Sequence, residues 1–333
     1  MSNKTLEKIF SIADKEQANR VTIATQENDY SCCFELPDKE ETYFKLPKKL
    51  ESDLIDNLRK LLNIAPQDLT RGKYCKLRSS KYNLNFRVSI IPAKYGDKIV
   101  ISLIKGRSSL LRLNQLGLQS QEKQKLEASL KRKSGLTLIT SPERGGRSTT
   151  LFSCLDSLNR DDKSVYFMGL YPEFDLRGIL SLKNNPDNWE IALHHDSDII
   201  ALDDGTDEDL KQAFIAADTG RLVIATLPAV NALEALYKLL KLNLPWNLVL
   251  DNLKLISAQS LTELKRSAKN KGRKQIGLFE TLKPSKELIN YLKDNQARIN
   301  NKNFWEDVLQ LAKRNDYSPL INDAKLKEKA GII

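Results

Sequence analysis

Apolar and polar positions divide the chain into an early run of short strands and a later alternation of strands with helices. Residues 5–18 predict a short amphipathic helix. Val21–Thr25, Tyr30–Leu36 and Thr42–Leu46 predict strands, with a turn at Pro37–Glu41. Leu50, Leu54, Ile55, Leu58, Leu61 and Leu62 recur at helical spacing and predict a helix over 48–64. Asn85–Ile91 and Lys98–Ile104 predict two more strands, joined across Pro92–Gly96. A helix over 119–134 then leads into an apolar strand, Leu136–Thr140. Strands at Ser164–Leu170, Asp198–Leu202 and Arg221–Leu227 follow, with helices at Ser148–Asn159 and Glu208–Ala217; Gly220 supplies permissive backbone for the turn into the last of these strands. Helices are predicted over 229–242 and 246–265, a β-rich piece over Gln275–Leu282, and helices from 285, 304 and 319. Strands alternating with helices predict a mainly parallel sheet covered on both faces.

One junction in this pattern carries chemistry. Residues 136–150 read LTLITSPERGGRSTT, a strand, a loop of turn formers and the start of a helix. That is the context of a phosphate-binding loop, G-x-x-x-x-G-K-[ST]. The register is kept and the letters are not. Ser141 stands for the first Gly, Gly146 for the second and Arg147 for the Lys, while Ser148 keeps the hydroxyl and is followed by Thr149. Gly145, Gly146 and the helix start still suit an anion. Ser141 is expected to strain a turn that glycine makes freely. Arg147 keeps the charge, but its planar fork does not reproduce a compact ammonium. Losing one charge-assisted contact costs about 1.5–3 kcal/mol.

Composition narrows the partners. The 333 residues suffice for two domains, and 41% hydrophobic with 29% charged residues describes an ordinary globular chain. No apolar run is long enough to span a membrane, and the N-terminus has no apolar core of a secretory signal. Cys32, Cys33, Cys75 and Cys154 show no C-x-x-C spacing, so reduced thiols in a cytosol are expected and no zinc. The net charge of +10 favours acidic partners but is spread along the chain. Its densest cluster, within 265–274, contains no aromatic to stack on bases and reads as a solvated loop rather than a nucleic-acid patch.

Several ordered segments together resemble the secretion ATPase superfamily, the hexameric ATPases of type II secretion and type IV pilus assembly. RVSIIPAKYGDKIVISLI (Arg87–Ile104) is similar to the family's first-domain segment, and LNQLGL (Leu113–Leu118) to its linker. DSDIIALDD (Asp196–Asp204) resembles the Walker B stretch DPDIIMVGE, DTGRLVIATLPAVNA (Asp218–Ala232) the histidine box, and GRKQIGLFETL (Gly272–Leu282) the segment GR-x-GIFEVL. The resemblance implies an α/β fold: a small N-terminal α/β domain over 1–105, a linker over 106–118, and a RecA-like P-loop NTPase domain over 119–333. It implies ATP and Mg2+ as ligands, a hexameric ring, inner-membrane pilus or secretion platform proteins or a homologous active ATPase as partners, and a cytoplasmic location, peripheral at the inner membrane. The extra N-terminal domain and the tetracysteine zinc module of the assembly branch are not expected in this chain.

Against that family the catalytic boxes are altered. In the acidic box EDP-x-E, Gly169 and Leu170 replace the first two carboxylates and only Glu173 remains, as a vestigial catalytic acid or a solvated loop acid. A leucine cannot orient the attacking water. Asp204 holds the Walker B Glu position, with Asp203 where the family has Gly. The two acids either face the metal together with Ser148 or cap the next helix. The histidine box has Arg221 and Pro228 in place of its histidines, and His194 and His195 match no family position. Arg87 matches a phosphate-directed arginine of the first domain, with a surface ion pair as the equal alternative, whereas Ser102, Thr70 and Thr22 replace other functional residues. The chain is therefore expected to bind nucleotide weakly or not at all and to act as a non-hydrolysing subunit or regulator of a pilus or secretion assembly. A slow but genuine ATPase using Arg147, Ser148 and Asp204 is the alternative, and a basic module for nucleic acid or anionic lipid a third reading.

Overall fold

Alternating apolar positions in the first hundred residues build an antiparallel sheet, and longer apolar runs after them build a buried parallel one. The computed structural model describes residues 2–16, 18–26, 29–36, 42–47, 54, 56–58, 60, 73–78, 83–91, 93–95, 97–158, 162–169, 172–265 and 275–333. The chain divides into two units, Met1–Ser109 with Glu173–Asp175, and Leu110–Pro172 with Leu176–Ile333.

The first unit contains strands β1 (Arg20–Gln26), β2 (Asp29–Glu35), β3 (Thr42–Leu46), β4 (Lys73–Arg78), β5 (Asn83–Ile91) and β6 (Lys98–Gly106), in the spatial order β3-β2-β1-β6-β5-β4. Their pairings are antiparallel, and the two-residue β9 (Phe174–Asp175) adds a parallel pair to β6. Val21, Ile23, Val88, Ile99 and Ile101 form the buried face. The helix Ser2–Lys15 packs there through Leu6 and Phe10, whose ring lies 5.0 Å from that of Phe86. Cys32 belongs to the same core; burial, and next the neighbouring Cys33, push its thiol up to about 12. It behaves as a small hydrophobe rather than a nucleophile. β4 is absent from the sequence-based reading, because KYCKLR interleaves cations with apolar residues as edge strands do. Of the helix expected over 48–64, Leu54, Asp56–Leu58 and Lys60 are helical; its other residues, the turn at 37–41 and most of the basic cluster at 265–274 lie outside the described residues.

The second unit holds β7 (Gly135–Ser141), β8 (Val165–Met168), β10 (Ile179–Leu182), β11 (Ile199–Leu202), β12 (Leu222–Pro228), β13 (Leu253–Glu263) and β14 (Gln275–Leu282). Their order is β10-β8-β11-β12-β7-β13-β14, parallel throughout except for the antiparallel β13–β14 pair. Every residue of β7 is buried, as a central strand covered on both faces requires. Leu136, Leu138, Ile200 and Val223 face the larger core with Phe214 and Trp189. On the other face Phe152 stacks on Phe167 at 5.2 Å, and Cys154 is raised to about 12 by burial alone.

The helix predicted over 246–265 is corrected. Only Trp246–Asn252 is helical, and the chain then runs straight into β13. The apolar positions of LKLISAQSLTE suit either period. A place between β7 and β14 satisfies the backbone on both edges, and this tertiary demand overrides the local pattern. The helix Pro186–His194 was missed although Asn185 caps it and Pro186 opens it, a start signal present in the sequence.

A buried acid of β14 helps tie the C-terminal helices to the sheet. Glu280 of β14 accepts from Ala232 N (2.7 Å), Leu320 N (2.7 Å) and Tyr317 Oη (3.0 Å). Burial holds its carboxyl above the usual range, and these three donors oppose the shift. Glu280→Ala would orphan all three donors and is expected to cost about 3 kcal/mol; Glu306→Ala, in an exposed ion pair with Lys302, should be near neutral. Urea unfolding of the two variants checks this contrast.

Candidate functional site

β7 delivers a loop at its C-terminal end, and the helix Arg147–Ser157 leaves from that loop. Ser141 is the last strand residue, paired with Pro228 and fully buried. Its backbone is not left-handed, so the expected strain at this position is absent. The left-handed residues are Arg144 (φ 58°) and Gly146 (φ 84°). The Ser141 hydroxyl donates to Pro142 O at 2.7 Å. A Cβ on Gly145 would collide with that hydroxyl and lie 2.6 Å from Ser141 Cβ, so the serine leaves room only for glycine four positions on.

The loop is held from below. Gln259 of β13, 2% exposed, donates through Nε2 to Gly145 O (2.6 Å) and accepts from Thr150 Oγ1 (2.7 Å). Both ends of a buried amide are thereby satisfied. Gln259 and Thr150 were not singled out in the sequence, because their pairing depends on β13 lying beside β7.

Arg147 closes the loop from above. Its Nη1 donates to Ser141 O (2.7 Å) and Pro142 O (3.2 Å), and Nη2 pairs with Asp204 Oδ1 (2.9 Å). Asp204 follows β11 in a left-handed conformation, φ 48°. Its backbone N–H donates to Thr226 Oγ1 (2.9 Å), and that hydroxyl donates to Asp203 Oδ1 (2.9 Å). β12 lies between β11 and β7, so Thr226 on β12 fixes both acids toward the loop. Asp203 is 8% exposed, and the Ser148 hydroxyl lies near enough to favour its charged form. Burial raises its carboxyl; the Ser148 and Thr226 hydroxyls oppose this, the Asp204 charge adds to it, and Arg147 opposes. Neither acid caps the following helix, since Thr206 does so in a reciprocal capping box with Asp209.

The sequence-derived residues therefore divide. Ser141, Gly145, Gly146, Arg147, Ser148, Thr149 and Asp204 lie around one loop, and Asp203 joins them as the acid whose charge Ser148 favours. The helix starting at Arg147 has no side-chain cap and no acid in its first turn, an arrangement suited to phosphate oxygens. Arg87 lies on β5 across from Ser102 in the first unit, and Glu173 is an exposed residue assigned to that unit beside β9. Leu170 and Thr70 lie outside the described residues. His194 and His195 are exposed at a helix end, His194 3.9 Å from Glu190. Among the described residues no cluster of three or more His, Cys, Asp or Glu side chains gathers as a metal site.

A family model described as Type II/IV secretion system protein matches residues 1–315. The chain belongs to that family. It is 30% identical over 263 residues to the putative type II secretion system protein E of Escherichia coli K12, covering 76% of this chain and 53% of that protein. It is 28% identical over 269 residues to the type IV pilus assembly ATPase PilB of Myxococcus xanthus, covering 78% and 48%. The chain thus spans about half the length of the curated relatives it matches. The pilus retraction motor PilT, solved with bound ADP, superposes with a TM-score of 0.75 at 18% identity over 98% of this chain and 93% of that one. The Legionella pneumophila ATPase DotB gives 0.73 at 18% identity over 99% and 92%. The fold is accordingly that of the secretion ATPases, a small N-terminal α/β domain and a RecA-like domain. No helix among the described residues is long and apolar enough to cross a membrane.

Two outcomes test this geometry. Gln259→Leu is expected to destabilise the chain by about 1–3 kcal/mol, since it orphans a buried carbonyl and a hydroxyl, and to speed amide exchange at Gly145 and Gly146. Because the Asp203 carboxyl is raised in the fold, the folded state takes up its proton more readily than the unfolded chain, and stability rises as pH falls through the folded pKa. Asp203→Asn should therefore gain stability over the parent at pH above the folded pKa and lose that advantage as pH falls through it, as read by urea unfolding over a pH series.

Proposed function

We propose that this member of the family is a non-hydrolysing nucleotide-type protein, serving as a subunit or regulator of a type IV pilus or type II secretion assembly. One observation carries the reading: the cation at the P-loop lysine position is tied to the acid at the Walker B position. In a working loop the lysine stays with the β- and γ-phosphates and the carboxylate side handles metal and water. Here Arg147 spans two loop carbonyls and Asp204, so both groups neutralise each other. A triphosphate entering the loop must break that ion pair. The replacement of the first acidic-box carboxylates by Gly169 and Leu170 points the same way.

The residues still fit the phosphate part of ATP. Gly145, Gly146 and the uncapped N–H groups at Arg147, Ser148 and Thr149 would receive it. Mg2+, which would neutralise phosphate charge, would be held by Ser148 with Asp203, the acid whose charge its hydroxyl favours, more directly than with Asp204. The names of the relatives support a place in type II secretion or type IV pilus assembly; to this we add a hexameric ring on the cytoplasmic side, beside an inner-membrane platform or an active homologue.

Purified protein with ATP and Mg2+ is expected to release phosphate no faster than buffer. Steady hydrolysis abolished by Asp204→Asn would overturn the proposal in favour of a slow ATPase. Arg147→Lys, which frees the loop carbonyls and restores a compact ammonium, should tighten binding of a fluorescent ATP analogue by about tenfold without creating turnover.

A further inference from the structure

At the end of the second sheet opposite the loop, the starts of β11 and β12 and the end of the helix Ser120–Leu130 border a groove of about 790 Å3. Its walls include the buried apolar residues Leu130, Ile199 and Leu222. Around them stand five cations, Lys131, Arg132, Lys133, Lys163 and Arg221, against two acids, Asp196 and Asp198. Asp198 is already engaged, accepting from Ser164 N at 2.8 Å and pairing with Lys163 at 3.7 Å. Arg221 is held rigidly, donating to Leu193 O (2.7 Å) and Thr219 O (3.1 Å). Lys131, Arg132 and Lys133 are consecutive and exposed. Arg132 also lines an adjoining cavity of about 210 Å3 with Lys125, Lys254 and Lys283. Burial first, and then the Arg132 charge, hold the Lys254 ammonium below its usual range, with Asp251 opposing. Ser197, 6% exposed, belongs to the lining, and its hydroxyl is buried behind the surface without a hydrogen-bond partner.

Cations crowded around a concave surface focus a positive potential. The groove falls within the size range of pockets for small organic molecules, and its apolar walls suit an organic body beside the charged groups. We propose that this groove binds a phosphate-bearing organic anion of nucleotide size, with its phosphates on Lys131, Arg132, Lys133 and Lys163 and its body against Leu130 and Leu222. A soluble phosphate ester and a phospholipid headgroup share this chemistry.

The test uses the full chain with inorganic pyrophosphate by calorimetry, and with phosphatidylglycerol vesicles by co-sedimentation. Pyrophosphate is expected to bind both the parent and Arg147→Ala. Binding should fall at least about tenfold when Lys131, Arg132 and Lys133 are all changed to Glu. The unfolding transition of this groove variant should stay unchanged. Vesicle binding without pyrophosphate binding, lost in the same groove variant, would assign the phosphate to a lipid headgroup. Binding of neither probe overturns the proposal, as does binding that Arg147→Ala abolishes while the groove variant retains it.

Discussion

The architecture around the loop depends on one buried amide. Gln259 sits in the middle of a strand with no solvent to satisfy it, so its oxygen and nitrogen must find partners in the protein. It finds Thr150 on the helix after the loop and Gly145 within the loop. Two segments, the loop and the helix after it, are thereby locked to β13, and the loop keeps its turn although Ser141 and Arg147 stand at the first glycine and lysine positions of the motif. The serine fits because the strain of the turn falls on Arg144 and Gly146 instead.

The same outline separates two sets of groups around the loop. Scaffold interactions and catalytic interactions use different atoms. Gln259, Thr150 and Thr226 hold the loop and the acids by hydrogen bonds that involve no ligand. Arg147 and Asp204 are the groups a ligand would need, and they have closed on each other. A guanidinium has enough donors to satisfy two carbonyls and a carboxylate at once, which an ammonium on a flexible stem does with less geometric commitment.

Asp203 and Asp204 show how adjacent residues can part company. Successive residues at a strand end point in different directions, and the left-handed turn at Asp204 sends its carboxylate outward to Arg147. Asp203 turns inward to Ser148 and Thr226, where burial makes its charge costly. The acid aligned with a glycine in the family is the one whose charge the P-loop hydroxyl favours.

The sequence by itself determined the α/β class, the loop register and the family, because strand–loop–helix periodicity and ordered motifs are local properties of the chain. It also located Ser148 and Asp204 as neighbours of one loop. It left open which acid faces Ser148, and it misread 253–263 as helix, because apolar spacing there suits both periods. Only tertiary structure decided those points: β13 is a strand because β7 and β14 offer its backbone partners on both sides, and Gln259, Thr226 and the basic groove at the strand starts acquire their roles only when segments far apart in sequence are laid side by side.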